Sequence, residues 1–144
     1  MHLQQIDVTG CRLVGAITKE LGMDGPKHHA VVLGKNAFNE DIYIAELMTS
    51  GYQIATYKDF HNRYAANAPL LLEPNIGLNS NAQVAQRAIA ELKKGGATYD
   101  LVVNNCESFV NRAMLGKSTS TQVINTALGV AVLVGLYYAL KNSK

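Results

Sequence analysis

Residues 99–111 read YDLVVNNCESFVN. A short β-type run at 99–103 meets two asparagines, and then a cysteine opens a segment, 107–115, of helical character. Asn104 and Asn105 suit the N-cap, because a short amide side chain accepts a hydrogen bond from one of the orphan N–H groups of a helix's first turn. Cys106 then falls in that first turn, where the positive end of the helix dipole favours the thiolate over an ordinary thiol of pKa about 8.5. A fold makes a sulfur nucleophile in this way. The alternative is a Cys106 that serves only as a small buried hydrophobe.

Composition bounds what such a cysteine can belong to. A length of 144 residues and 48% hydrophobic content suit one domain with a single core. A net charge of +2 is too small to point to nucleic acid, and no nucleic-acid partner is expected. Cys11 and Cys106 lie far apart and show none of the paired spacings of a zinc site, so neither metal nor cofactor is expected. One disulfide between them is open in principle. A chain of this length needs no staple, however, and both are read as thiols in a reducing compartment. No apolar run of about 7–15 residues follows a basic start, so a secretory signal peptide is not expected. The sequence has no internal repeat and no low-complexity segment.

Upstream of the cysteine, residues 3–21 mix short apolar runs with Gly10 and Gly15 and commit to no single period. They read as a short strand or turn followed by a helical turn. A loop at 22–26 (GMDGP) leads into KHHAVVLG at 27–34, a strand by its β-branched content and the turn residues that close it. Alternation puts His28, Ala30 and Val32 on one face, and His29, Val31 and Leu33 on the other, so only one of the two histidines faces a given site. A second strand at 42–48 (IYIAELM) places Glu46 with Ile42 and Ile44. Either this strand is an edge and Glu46 reaches water, or Glu46 has a polar partner inside, as a carboxylate accepting from an imidazole would. Residues 52–57 fit a third strand; 58–68 is a polar run with scattered aromatics in which His61 reads as a surface histidine. Asn79-Ser80 caps a helix that runs to Lys94, with Val84, Ala88, Ile89 and Leu92 at helical spacing and Gly95-Gly96 at its end.

The tail changes character at Ile124. Residues 124–140 (INTALGVAVLVGLYYAL) carry no charge and are followed by Lys141 and Lys144. As a helix this is about 25 Å long, against a hydrocarbon core of about 30 Å. Tyr137 and Tyr138 resemble an interfacial belt, and Ala127, Ala131, Gly135 and Ala139 form a small-residue stripe along which another helix can approach. A membrane helix is the expectation, because no polar face remains for water; the alternative is a core helix. The chain thus divides into an enzyme domain, 1–122, and a hydrophobic anchor with a basic end, 123–144. Lys141 and Lys144 favour a cytosolic end or an anionic surface; a membrane-associated protein with its enzyme domain on the cytoplasmic side is expected.

These residues resemble a known family. HHAVVLG at 28–34 looks like the HxxIYxG-type strand of the lecithin:retinol acyltransferase-like proteins, and NCESFV at 105–110 resembles their NCEHF box. Gln86-Arg87-Ala88 and Leu92, leading to Tyr99-Asp100-Leu101, are similar to the helix before that box. Gly116-Lys117-Ser118 and Thr121-Gln122-Val123, leading into the apolar tail, are similar to the end of the small phospholipid-modifying members called H-Ras-like suppressors. Three positions depart from the pattern: Glu46 stands where a histidine is usual, Ser108 replaces the histidine of the box, and Val32 replaces a tyrosine.

The resemblance implies an α+β fold, a circularly permuted papain-like domain of the NlpC-type superfamily. A small antiparallel sheet packs with helices in it, and histidine precedes cysteine in the chain. It implies Cys106 as nucleophile, His28 as general base and Glu46 as the residue that orients the base, with Asn105 and Asn104 supporting the cap and the oxyanion. It implies a thiol acyltransferase or phospholipase A that forms a thioester with a phospholipid or other acyl-ester substrate. A peptidase or amidase of the same superfamily and a catalytically silent membrane-tethered module are the rival readings.

Overall fold

The computed structural model describes residues 7–95 and 105–116. The strand expected at 99–103, Asn104, and the tail at 124–140 with Ala127, Ala131, Gly135 and Ala139 lie outside those residues. Among the described residues no helix is long and apolar enough to cross a membrane.

Among the described residues five strands form one antiparallel sheet: β1 (Arg12–Ala16), β2 (Lys27–Lys35), β3 (Ile42–Met48), β4 (Gly51–Thr56) and β5 (Leu71–Glu73). Their spatial order is β4-β3-β2-β1-β5. Helices α1 (Tyr57–Tyr64), α2 (Asn81–Lys94) and α3 (Cys106–Leu115) complete an α+β architecture. β2 and β3 are interior strands, so both faces of each are covered and their residues are buried almost throughout. Such strands lose the polar–apolar alternation of a half-exposed sheet. The same holds for β1, whose run Leu13-Val14-Gly15-Ala16 is entirely buried. The short strand expected in this stretch is β1, and among the described residues the helical geometry before β2 is a 3₁₀ turn at Gly22–Asp24, just past the stretch.

The two faces have different covers. Val31, Leu33, Tyr43, Ala45 and Leu47 pack beneath α2 and α3, against Val84, Ala88, Ile89, Phe109 and Val110. Ala30, Val32, Ile42 and Ile44 face the other way, toward Phe60 of α1. Phe60 is fully buried, and a side chain of that kind contributes about 1.5–3 kcal/mol by leaving water. Helix α2 carries the expected cap: Ser80 accepts from the N–H of Gln83, and the Gln83 side chain accepts from the N–H of Ser80. Gly95 follows its last residue in a left-handed conformation, φ 58°, that a glycine adopts without strain. Helix α1 was hidden in the polar run at 58–68. It starts on a second capping box, Thr56 with Asp59, worth about 1 kcal/mol for a helix of two turns.

Two glycines position the elements that matter. β2 carries a bulge between Val32 and Gly34, where φ is +128° and a Cβ would lie 2.9 Å from the Thr9 hydroxyl. The bulge falls beyond the histidines and leaves their register intact. Gly15 pairs with His28 across β1 and β2, and a Cβ there would lie 2.7 Å from Cβ of Tyr64 and 2.9 Å from Cε1 of Phe60. The bare glycine lets α1 come down onto the sheet beside His28. On the opposite face, Glu91 of α2 takes both Nε (2.8 Å) and NH2 (2.7 Å) of Arg112 and the hydroxyl of Tyr52 (2.6 Å). This ties α3, and with it Cys106, to α2 and β4.

Candidate active site

Cys106 is the first residue of α3 and is buried. Asn105 is its N-cap: Oδ1 accepts from the N–H of Ser108 at 2.9 Å, and the N–H of Asn105 donates to the Ser108 hydroxyl at 2.9 Å. The serine that stands in place of the box histidine thus closes a capping box and holds the helix start in one conformation. First-turn N–H groups have no carbonyl within their own helix, so the cap aims their positive end at the sulfur.

Although α3 packs on the face of Val31, its N-terminus reaches the end of the sheet where β2 begins. Cys106 Sγ lies 3.8 Å from the carbonyl oxygen of Lys27. There it comes near enough to His28 for each group to shift the other's protonation. The His28 Nε2 is engaged by Oε1 of Glu46 at 2.8 Å, which leaves Nδ1 as the ring nitrogen available to the thiol. His28 and Glu46 share a face because Val32 pairs with Ile44, so Ala30 stands opposite Glu46 and His28 lies one diagonal step away. Phe60 and Tyr64 of α1 cover the imidazole, with ring centroids 5.7 and 5.4 Å from it.

Glu46 is fully buried on an interior strand, which removes the edge alternative and leaves the internal partner. Its Oε1 faces His28, and its Oε2 accepts from Nε2 of Gln53 at 2.6 Å and from NH2 of Arg63 at 2.5 Å. Gln53 is its direct cross-strand partner on β4.

These contacts decide the charge states. Burial pushes the Cys106 thiol up, but the hydrogen bond to His28, backbone N–H groups of His29 and Glu107, and the nearby imidazole charge outweigh it, so the pKa falls below the usual thiol value. Burial pushes His28 down, and its bonds to Cys106 and Glu46 with their negative charges reverse that, so it lies above its ordinary value. Burial raises Glu46, and the bonds from His28, Arg63 and Gln53 bring it below the ordinary carboxylate range. A lowered thiol beside a raised imidazole is the condition for a thiolate–imidazolium pair.

His29 points to the other face, as alternation requires. Its Nδ1 lies 3.1 Å from NH1 of Arg12 and its Nε2 3.3 Å from Oε2 of Glu107. Burial, with the Arg12 charge adding to it against a smaller opposing pull from Glu107, lowers it to about 4. At neutral pH it is therefore the neutral tautomer whose Nδ1 accepts from Arg12, with its proton on Nε2 near the Glu107 carboxylate. Arg12 also donates to Oδ1 of Asn111 on α3. Cys11 is half-buried and, like Cys106, a free thiol. His61 is exposed on α1. Among the described residues no group of three His, Cys, Asp or Glu side chains is placed to hold a metal ion.

The family of lecithin retinol acyltransferase matches residues 24–119, from just before β2 to just past α3. The chain belongs to that family. No curated protein and no solved structure matches it. Within this lecithin retinol acyltransferase relative, the residues that sequence reading missed are Arg63, Gln53 and Tyr64. Gln53 could have been found from the pairing of 52–57 with 42–48. Arg63 and Tyr64 needed α1, and its one local signal was the Thr56–Asp59 capping box.

Proposed function

We propose that the protein is a cysteine-dependent acyltransferase or phospholipase A that acts on phospholipid acyl esters through a thioester on Cys106. The observation that carries this reading is the buried array in which the imidazole of His28 is bonded to Glu46 at 2.8 Å and lies close to Cys106 at a capped helix start. Family membership over 24–119 supplies the acyl-transfer chemistry. A histidine strand that precedes the cysteine helix, on an antiparallel sheet with helices, supports the circularly permuted papain-like assignment.

The chemistry follows from the array. Cys106 gives its proton to His28, and the imidazolium is stabilised by Glu46. The thiolate attacks the ester carbonyl carbon, and the oxyanion is held by N–H groups at the start of α3. As the tetrahedral intermediate collapses, the C–O bond breaks and His28 protonates the departing lysophospholipid oxygen, leaving the acyl group on sulfur. Water, an amine or an alcohol then attacks the thioester, passes its proton to His28 and releases the thiol. Phospholipase and acyltransferase differ only in that acceptor.

The experiment is to incubate purified protein with mixed phospholipid vesicles and follow lipids and the Cys106 peptide by mass spectrometry. The expected products are lysophospholipid and an acyl mass on Cys106; vesicles left unchanged and an unmodified peptide would reject the assignment. The tail at 124–140 is proposed as the membrane anchor that raises local substrate concentration, with the enzyme domain on the cytoplasmic side. Residues 1–122 alone should then be soluble and folded. They should cleave short, dispersed esters near the full-length rate and lose most of their rate on vesicles. An insoluble product, inactive on short esters, would mean that the tail is a core helix.

A further inference from the structure

The array does not end at Glu46. Its Oε2 is buried and accepts from two donors, and the charged one is Arg63, whose side chain is 28% exposed. That guanidinium is itself fixed. NH1 donates to the Tyr64 hydroxyl at 3.1 Å and lies 3.7 Å from Sδ of Met48, and its carbon sits 5.0 Å from the Tyr64 ring centroid and 5.6 Å from that of Phe60. Phe60 and Tyr64 are the two rings that cover His28. A single helix turn thus packs the base and grips the carboxylate that orients it.

A carboxylate has a consequence here that a neutral orienting residue would not. Left alone, a buried negative charge beside the imidazole would hold its proton too tightly, and the imidazolium would be slow to surrender it to a leaving group. Removing the partner of a buried charge is also among the most destabilising changes a protein can suffer. Arg63 answers both demands.

Building on the thiolate–imidazolium reading above, we propose that Arg63 is a positioning residue: from α1 it fixes Glu46 with Oε1 toward His28, and its charge offsets the carboxylate, so that it governs the pH range over which the Cys106–His28 pair is active. The groups that face the pair are Glu46 from β3, Cys106 from α3, Arg63 and Tyr64 from α1, and, beyond the flanking His29 and Lys27 of β2, Arg12 from β1 and Glu107 from α3. Among these, Arg63 is the cation that touches Glu46.

The sign of the effect is fixed by charge. Taking a positive charge from the cluster raises its affinity for protons, so both limbs of a bell-shaped rate profile move to higher pH; taking the negative charge of Glu46 moves the alkaline limb to lower pH. The test uses full-length wild type, Arg63→Met, Arg63→Lys and Glu46→Gln, with two readouts against pH. One is alkylation of Cys106 by iodoacetamide, separated from Cys11 by peptide mass spectrometry. The other is kcat/KM on a short-chain p-nitrophenyl ester.

Arg63→Met is expected to shift the profile upward by about one pH unit and to lower the optimum rate roughly 10–100-fold. Arg63→Lys should return the profile to its wild-type position with only part of the rate, since an ammonium restores the charge but not the fork. Glu46→Gln should move the alkaline limb the opposite way. A profile that stays in place in Arg63→Met, whatever its height, or that moves down, overturns the proposal. If Arg63→Met does not fold, Arg63→Gln, which keeps a donor without the charge, is judged by the same shifts. Failure of the underlying reading looks different: wild-type Cys106 would then be alkylated no faster than Cys11.

Discussion

Cys106→Ser should bring turnover of phospholipid and short esters down to background, a loss on the order of 10⁴-fold or more. The substitution is small in volume and leaves Asn105, Ser108 and the start of α3 in place, so the fold should be kept. What is lost is the thiolate. The cap, the backbone N–H groups of His29 and Glu107, and the imidazole together bring a thiol below its usual pKa, but a hydroxyl starts so much higher that the same contacts leave it neutral. Cys11→Ser is the matching control. Burial and the nearby Asp7 hold that thiol above its ordinary value, and it sits with the Phe60 cluster rather than at the helix start. Lysophospholipid release measured for both variants decides the matter. Wild-type rates in Cys106→Ser would remove the thioester from the mechanism.

What could be read from the sequence, and what could not, follows from how local each signal is. β2 and β3 were legible because β-branched runs closed by turn residues need no tertiary information, and Glu46 stood out as a carboxylate among isoleucines on one face. Ser80 to Gly95 was legible because cap, period and terminator agree along one helix. β1 was obscured because a strand buried on both faces shows no alternation, and Gly15 looks like a turn until Tyr64 is seen against it. α1 buries only Phe60 among its eight residues, too little for a periodic stripe to emerge from a polar run. β5, three residues long, exists through its pairing with β1. The site divides along the same line. Cys106, Asn105, His28 and Glu46 carry signals in their own segments. Arg63 acquires its contact with Glu46 only when α1 folds back over the sheet, across 17 residues of chain.

His28→Ala should cost roughly 10³-fold in kcat/KM, within the 10²–10⁴ range for a general acid–base group, whereas His29→Ala should cost about tenfold or less. Adjacent in sequence, the two side chains leave β2 on opposite faces and live in opposite electrostatic settings. His28 is held above its ordinary pKa between two anionic partners. His29, beside Arg12, is down at about 4 and stays neutral over the whole range in which a thiolate is useful. It cannot shuttle a proton at neutral pH. Its side chain links Arg12 to Glu107, so its loss should act through the seating of α3 and appear as a lower unfolding midpoint. The pH profile separates these roles more sharply than the rates do. In wild type the acid limb follows deprotonation of Cys106, below the usual thiol value, and the alkaline limb follows His28, above the usual imidazole value of about 6.5. His29→Ala should keep both limbs in place beneath a lower maximum. His28→Ala should erase the alkaline limb and move the acid limb up toward an ordinary thiol, because the sulfur then keeps its burial and loses its principal donor. If instead the His29 variant were the inactive one and the His28 variant kept a bell, the base would lie on the α3 face, and the Glu46 array would be a structural ion pair rather than the seat of proton transfer.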